Sequence, residues 1–129
     1  MKLKLLLSIL AVPVSLSAND TDDQRAAGWQ IKNLAAITIA FANAHGNRFP
    51  ASFDELLAAT KTADKSILIS PLATNRTKPS YELLLAGKRS DQIANPARTI
   101  LIRSLVTTKD GKRVVSFVDG HVELVADER

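Results

Sequence analysis

The chain has 129 residues, 46% of them hydrophobic and 23% charged, with five Gly, five Pro and no Cys. This is the composition of one globular domain, and it excludes a disordered tail, a collagen-like repeat and a disulfide-framed miniprotein. The lack of cysteine also removes thiolate zinc sites, a cysteine nucleophile and a lipidated cysteine anchor. A net charge of +4 is a small excess rather than a polycation.

Residues 1–18 read as an address. Lys2 and Lys4 precede an apolar run from Leu5 to Val14, then come Pro13 and the small residues Ser15, Ser17 and Ala18, and then the acidic Asp20, Asp22 and Asp23. This is the layout of a secretory signal peptide, with cleavage expected after Ser17 or Ala18. The run is too short, against the roughly 20 residues a bilayer needs, for a retained transmembrane helix to be expected. The chain is therefore expected to be exported, periplasmic or extracellular, with residues 19–129 forming a single domain. Its few aromatics are not interleaved with basic residues, so no nucleic-acid partner is expected.

The spacing predicts one long helix over residues 21–44. Thr21 or Asp20 can cap it, and Asp22 and Asp23 suit its positive end. Ala27, Ile31, Leu34, Ile37, Phe41 and Ala44 share one arc, with Trp29 and Ile39 outside it. Gly46 is the expected left-handed stop. Arg48 to Ala51 is an extended link, because Pro50 biases Phe49 away from helix. Ser52 with Glu55 forms a capping box for a short second helix over residues 53–60. Ile67 to Ile69 reads as a short strand, and residues 70–79 as a surface excursion.

From Tyr81 the pattern changes to short apolar runs. Strands are expected at residues 81–85, 99–106, 113–118 and 121–126. Asp119-Gly120 is a hairpin signal, and as a two-residue turn it pairs Phe117 with Val122 and Ser116 with Glu123. Val115, Phe117, Val122 and Leu124 then share one face, and Ser116, His121 and Glu123 the other. Asp110-Gly111 offers a second such turn, setting Val106 opposite Val115. The expected fold is α+β: a long N-terminal helix and a short second helix packed on a small antiparallel sheet of about four strands.

Chemistry is sparse. The two histidines are His45, at a helix end, and His121. A Ser116–His121–Glu123 cluster is formally possible, but it has neither a Gly-x-Ser-x-Gly elbow nor an obvious oxyanion donor. Asp119 belongs to the turn, which leaves His121 and Glu123 short of a zinc ligand set. No catalytic, metal or cofactor site is expected, and the chain reads as a non-enzyme. Asn19-Asp20-Thr21 and Asn75-Arg76-Thr77 match the glycosylation triplet, which is common by chance.

Three stretches, KNLAAITIAFANAHGNRFPASFDELL (32–57), ANPARTILI (94–102) and VVSFVDGHVELV (114–125), together resemble bacterial pilin-like proteins. They are similar to relatives of the type II secretion major pseudopilin, in the group with a C-terminal H-X9-DG signature. The hairpin residues Phe117, Asp119, Gly120, His121, Val122 and Glu123 carry the most specific part of the likeness. The resemblance implies a structural or accessory role in the cell envelope or secretion machinery, with other envelope or pseudopilin-like proteins as partners. Two features depart from the family. A conventional signal peptide replaces the prepilin leader and its long apolar helix, and Lys109 stands where the signature has its histidine. The readings kept beside it are an extracytoplasmic ligand-binding module on a reused pilin fold and an envelope hydrolase.

Overall fold

A computed structural model of the chain describes residues 12–13 and 22–126. The expected signal peptide lies outside the described residues apart from Val12 and Pro13, as do the helix caps Asp20 and Thr21.

Helix α1, Asp22–Ala44, buries Ala27, Gly28, Ile31, Leu34, Ala35, Thr38, Phe41 and Ala42. Its buried stripe is turned slightly from the expected arc: Ile37 is only half-buried and Ala44 is exposed. The small residues Gly28, Ala35 and Ala42 recur every two turns along that stripe. Thr38 is fully buried because its hydroxyl donates to Leu34 O at 2.7 Å, leaving no unpaired group inside. The helix ends as expected. Gly46 has φ +67°, and Asn47 N–H donates back to Ala42 O at 2.8 Å, the six-to-one bond of a Schellman stop.

The link after the helix is held by backbone bonds. Phe49 N–H donates to Lys88 O (2.9 Å), Ser90 N–H to Asn47 O (2.6 Å) and Gly87 N–H to Pro50 O (3.0 Å). Phe49 is completely buried. Helix α2, Phe53–Ala59, is capped by Ser52, whose Oγ accepts from Glu55 N–H at 3.1 Å. Glu55 closes the box one residue early, accepting from Ala51 N–H at 2.6 Å, and also pairs with Arg48 at 3.1 Å.

The expected strand at residues 67–69 is instead a 3-10 helix, Lys65–Leu68, and the reason is local: Asp64 accepts from Ser66 N–H at 2.9 Å and caps a turn. The sheet contains the four expected antiparallel strands, β2 (Tyr81–Leu83), β3 (Ile100–Ser104), β4 (Lys112–Phe117) and β5 (Val122–Ala126). A two-residue strand, β1 (Val12–Pro13), extends it, giving the order β1-β5-β4-β3-β2. The fold is α+β, with α1 laid chiefly across β4.

Two registers differ from expectation. In the β4–β5 hairpin, Ser116 pairs with Val122, Val115 with Glu123 and Val114 with Leu124, a slip of one residue. A two-residue turn of type I′ or II′ would need positive φ at Asp119, and of the two turn residues only Gly120 has it, at +94°. The chain therefore uses a three-residue loop, with Gly120 N–H on Phe117 O (2.8 Å) and Phe117 N–H on His121 O (2.9 Å). The Asp110-Gly111 turn repeats the device, with Gly111 N–H on Thr108 O (3.0 Å) and Thr108 N–H on Lys112 O (2.8 Å). Beyond it Arg103, not Val106, lies opposite Val115, and a bulge between Ile100 and Ile102 shifts the ladder again.

These registers sort the sheet. Tyr81, Leu83, Ile102, Val114, Val122 and Leu124 pack with α1 in the main core. The opposite face carries Glu82, Arg103, Val115, Phe117 and Glu123, with Arg103 bonded to Glu82. That face is not open at its centre, since Val115 is 0% and Phe117 4% exposed. The 3-10 turn Pro96–Arg98, which leads from Asn95 into β3, packs against β4.

Candidate functional site

The one-residue slip decides what the hairpin can do. Because residues alternate sides along a strand, it places His121 directly across from Phe117 and puts Ser116 on the helix side. The expected Ser116–His121–Glu123 grouping is therefore broken. Ser116 is completely buried on the face covered by α1, and its hydroxyl has no hydrogen-bond partner among the described residues.

What the hairpin assembles instead is Asp119, His121 and Glu123 around the Phe117 ring. The His121 and Phe117 rings stack with centroids 4.4 Å apart and planes 2° from parallel. His121 Nδ1 lies 2.5 Å from Asp119 Oδ1, and Nε2 lies 2.6 Å from Glu123 Oε2. His121 N–H also donates to Asp119 Oδ1, at 3.1 Å.

This geometry favours the protonated ring. A neutral imidazole has one N–H and one lone pair, so it can satisfy only one carboxylate; an imidazolium donates to both. Burial acts against the charge, but the hydrogen bonds to Asp119 and then Glu123 outweigh it and raise the His121 pKa above its usual 6.5. Burial likewise opposes ionisation of Asp119, and the His121 backbone and ring hydrogen bonds overcome it, holding its pKa below the usual 3.8. An imidazolium clamped in this way has no lone pair for a metal and none for proton abstraction. It lies flat on an aromatic ring, where the cation is favoured by the ring face.

Beside the cluster is a recess of only about 80 Å³ lined by Ala97, Arg98, Phe117 and Glu123. His45 has other partners, just past the end of α1, where Nδ1 contacts Phe41 O at 2.8 Å and the ring stacks on Phe41 at 3.9 Å. The two histidines are thus never brought together. Among the described residues no cluster of His, Asp and Glu is arranged to hold a metal ion.

A feature without a sequence motif lies in the segment read as a short strand and a surface excursion. Asp54, Lys65, Arg76 and Lys78, with Leu68, Ile69 and Pro79, line a cleft of about 580 Å³. Its only legible signal is the excess of Lys and Arg between residues 61 and 78. Arg76 donates to Ser70 O at 3.2 Å, and Lys65 meets Asp54 at 3.9 Å.

In comparisons with known proteins, no family model matches the chain, and no curated protein or solved structure does either. No helix among the described residues is long and apolar enough to cross a membrane.

Proposed function

We propose that the chain is an exported, non-catalytic, pseudopilin-like domain. It serves as a structural or accessory protein of the cell envelope or secretion machinery, and it acts through contacts with other envelope or pseudopilin-like proteins. The observation that carries the non-catalytic reading is the clamped His121, whose two ring nitrogens are both engaged by carboxylates. The pseudopilin-like reading is supported by the placement of the three motif stretches. The first runs through α1, its link and α2, the second turns at Pro96 into β3, and the third is the β4–β5 hairpin beneath α1. The test is crosslinking in cells of the native host, followed by capture of the tagged protein from the envelope fraction. Recovery of pseudopilins or secretion-platform proteins supports the reading. Recovery of the protein alone, uncrosslinked, sinks it.

The cleft beside Arg76 favours one second reading, a module that binds a small extracytoplasmic ligand. Its volume suits a small molecule, and three cations against one carboxylate suit an anion with an apolar body. Calorimetric titration with short-chain carboxylates checks this; no heat at millimolar ligand removes it. The Ser116–His121–Glu123 grouping lends no support to a hydrolase, because Ser116 lies on the far side of the sheet from His121.

A further inference from the structure

The edge of β5 that faces away from β4 is built to accept a strand. Phe117 N–H donates to His121 O, so 117 and 121 form a hydrogen-bonded pair. Hydrogen-bonded and non-bonded pairs alternate along an antiparallel ladder. His121, Glu123 and Val125 therefore turn their backbone groups toward β4, while Val122, Leu124 and Ala126 turn theirs outward. Strand β1 uses this edge: Val12 pairs with Leu124, and Pro13 pairs with Glu123. Pro13 thus sits opposite a residue whose N–H and C=O point inward, where a missing N–H is harmless.

Edge strands are normally guarded by lysine, proline or a bulge. Strand β5, VELVA, carries one acidic residue and no proline. Its guard is β1, and β1 falls inside the segment expected to be removed on export.

We propose that β5 is a dimerisation edge, covered by Val12–Pro13 in the unprocessed chain and paired with β5 of a second copy once residues 1–18 are gone. An antiparallel pair centred on Leu124 sets Leu124 against Leu124, Val122 against Ala126 and Glu123 against Val125. Every outward backbone group on the strand is then matched, and Glu123 faces an apolar residue rather than another carboxylate. Two four-stranded sheets become one of eight strands. Release of β1 rests on the export reading; the pairing itself does not.

Sedimentation velocity over a concentration series tests both parts. The exported form is purified from the native host and its N-terminus fixed by intact mass, and the unprocessed full chain is made by cell-free synthesis. The expected result is a reversible dimer for the processed form and a monomer for the full chain. Val12→Pro, which removes the N–H facing Leu124, turns the full chain into a dimer even if processing never occurs. In either dimer, Val125→Glu creates two symmetric like-charge pairs with Glu123 and weakens association about tenfold, while Val125→Lys strengthens it. Circular dichroism confirms that each variant is folded; if Val125→Glu is not, the Val125→Lys comparison decides. Monomers throughout, or a dimer indifferent to both charges at 125, overturn the proposal. A full chain that dimerises as well as the processed form overturns the covering role of β1.

Discussion

The His121 ring lies parallel to the Phe117 ring, 4.4 Å away, and the two residues face each other only because Gly120 closes a three-residue loop between them. The stack, the two carboxylate contacts and the loop are one unit, so a change at any member is felt at the others.

The His121 cation gives the first prediction. Its folded pKa lies above the unfolded value of 6.5, so its stabilisation is complete below 6.5 and is lost as pH rises through the raised folded value. Wild type measured against His121→Gln in urea should lose ground across that window, by about 1 kcal/mol or less, because the His121 and Asp119 side chains are over a third exposed and screened. Asp119 acts in a separate window, below 3.8, where its contribution fades as acid protonates it. A pH-independent difference between the two proteins between pH 5 and 9 would show that folding leaves the His121 pKa unshifted.

The paired loops give a second. Gly120 (φ +94°) and Gly111 (φ +78°) occupy equivalent positions. Alanine at either should cost about 1 kcal/mol for the backbone conformation alone. A Cβ at 120 would lie 3.6 Å from Ile39 Cδ1, an ordinary contact, and one at 111 would meet nothing within 4 Å. Equal losses are therefore expected in urea titrations; a much larger loss at 120 would mean that α1 presses on the hairpin.

Phe117 supports the stack and is buried against the sheet face opposite α1. Phe117→Ala should cost about 3 kcal/mol. An unchanged urea midpoint would show that this face contributes no packing.

Ser116 behaves in the opposite sense. Its buried hydroxyl has no partner among the described residues. Removing an unsatisfied polar group is neutral or stabilising, so Ser116→Ala should raise stability by 0 to about 1 kcal/mol. A loss above that range would reveal a hydrogen bond, to water or protein, that holds the Oγ.

Tyr81 is the only tyrosine, so its ionisation can be read directly by ultraviolet absorbance. Burial pushes its pKa up to about 12, against a smaller opposing effect from the Ser70 hydrogen bond. The native protein should hold its phenol protonated at pH 11, with release near 10 in urea. Native titration at 10 would place the ring in solvent.

Much of the fold was legible because the signals were local. Gly46 stops α1, Ser52 caps α2, and Asp119-Gly120 marks a hairpin without any knowledge of tertiary structure. The hairpin register was not legible, and the reason lies in Val114-Val115-Ser116-Phe117, all four buried. A strand covered on both faces has no polar side to mark its phase, and the choice between turn lengths rests on the φ of Asp119. That single residue of register carried Ser116 away from His121. The Lys65–Leu68 turn was missed because its apolar residues mimic a strand while its cause, Asp64, lies just outside them.

The backbone bonds between residues 47–50 and 87–90 have a consequence for how the chain tolerates change. They close residues 51–86 into a loop whose two ends are already fixed beside each other, one stalk carrying Arg48 with Glu55 and the other Arg89 with Asp91. Added length within residues 72–78 alters neither stalk, and each doubling of a flexible loop costs only about 0.6 kcal/mol. A tag or reporter grafted there should ride on the protein without disturbing the β4–β5 hairpin or its outer edge.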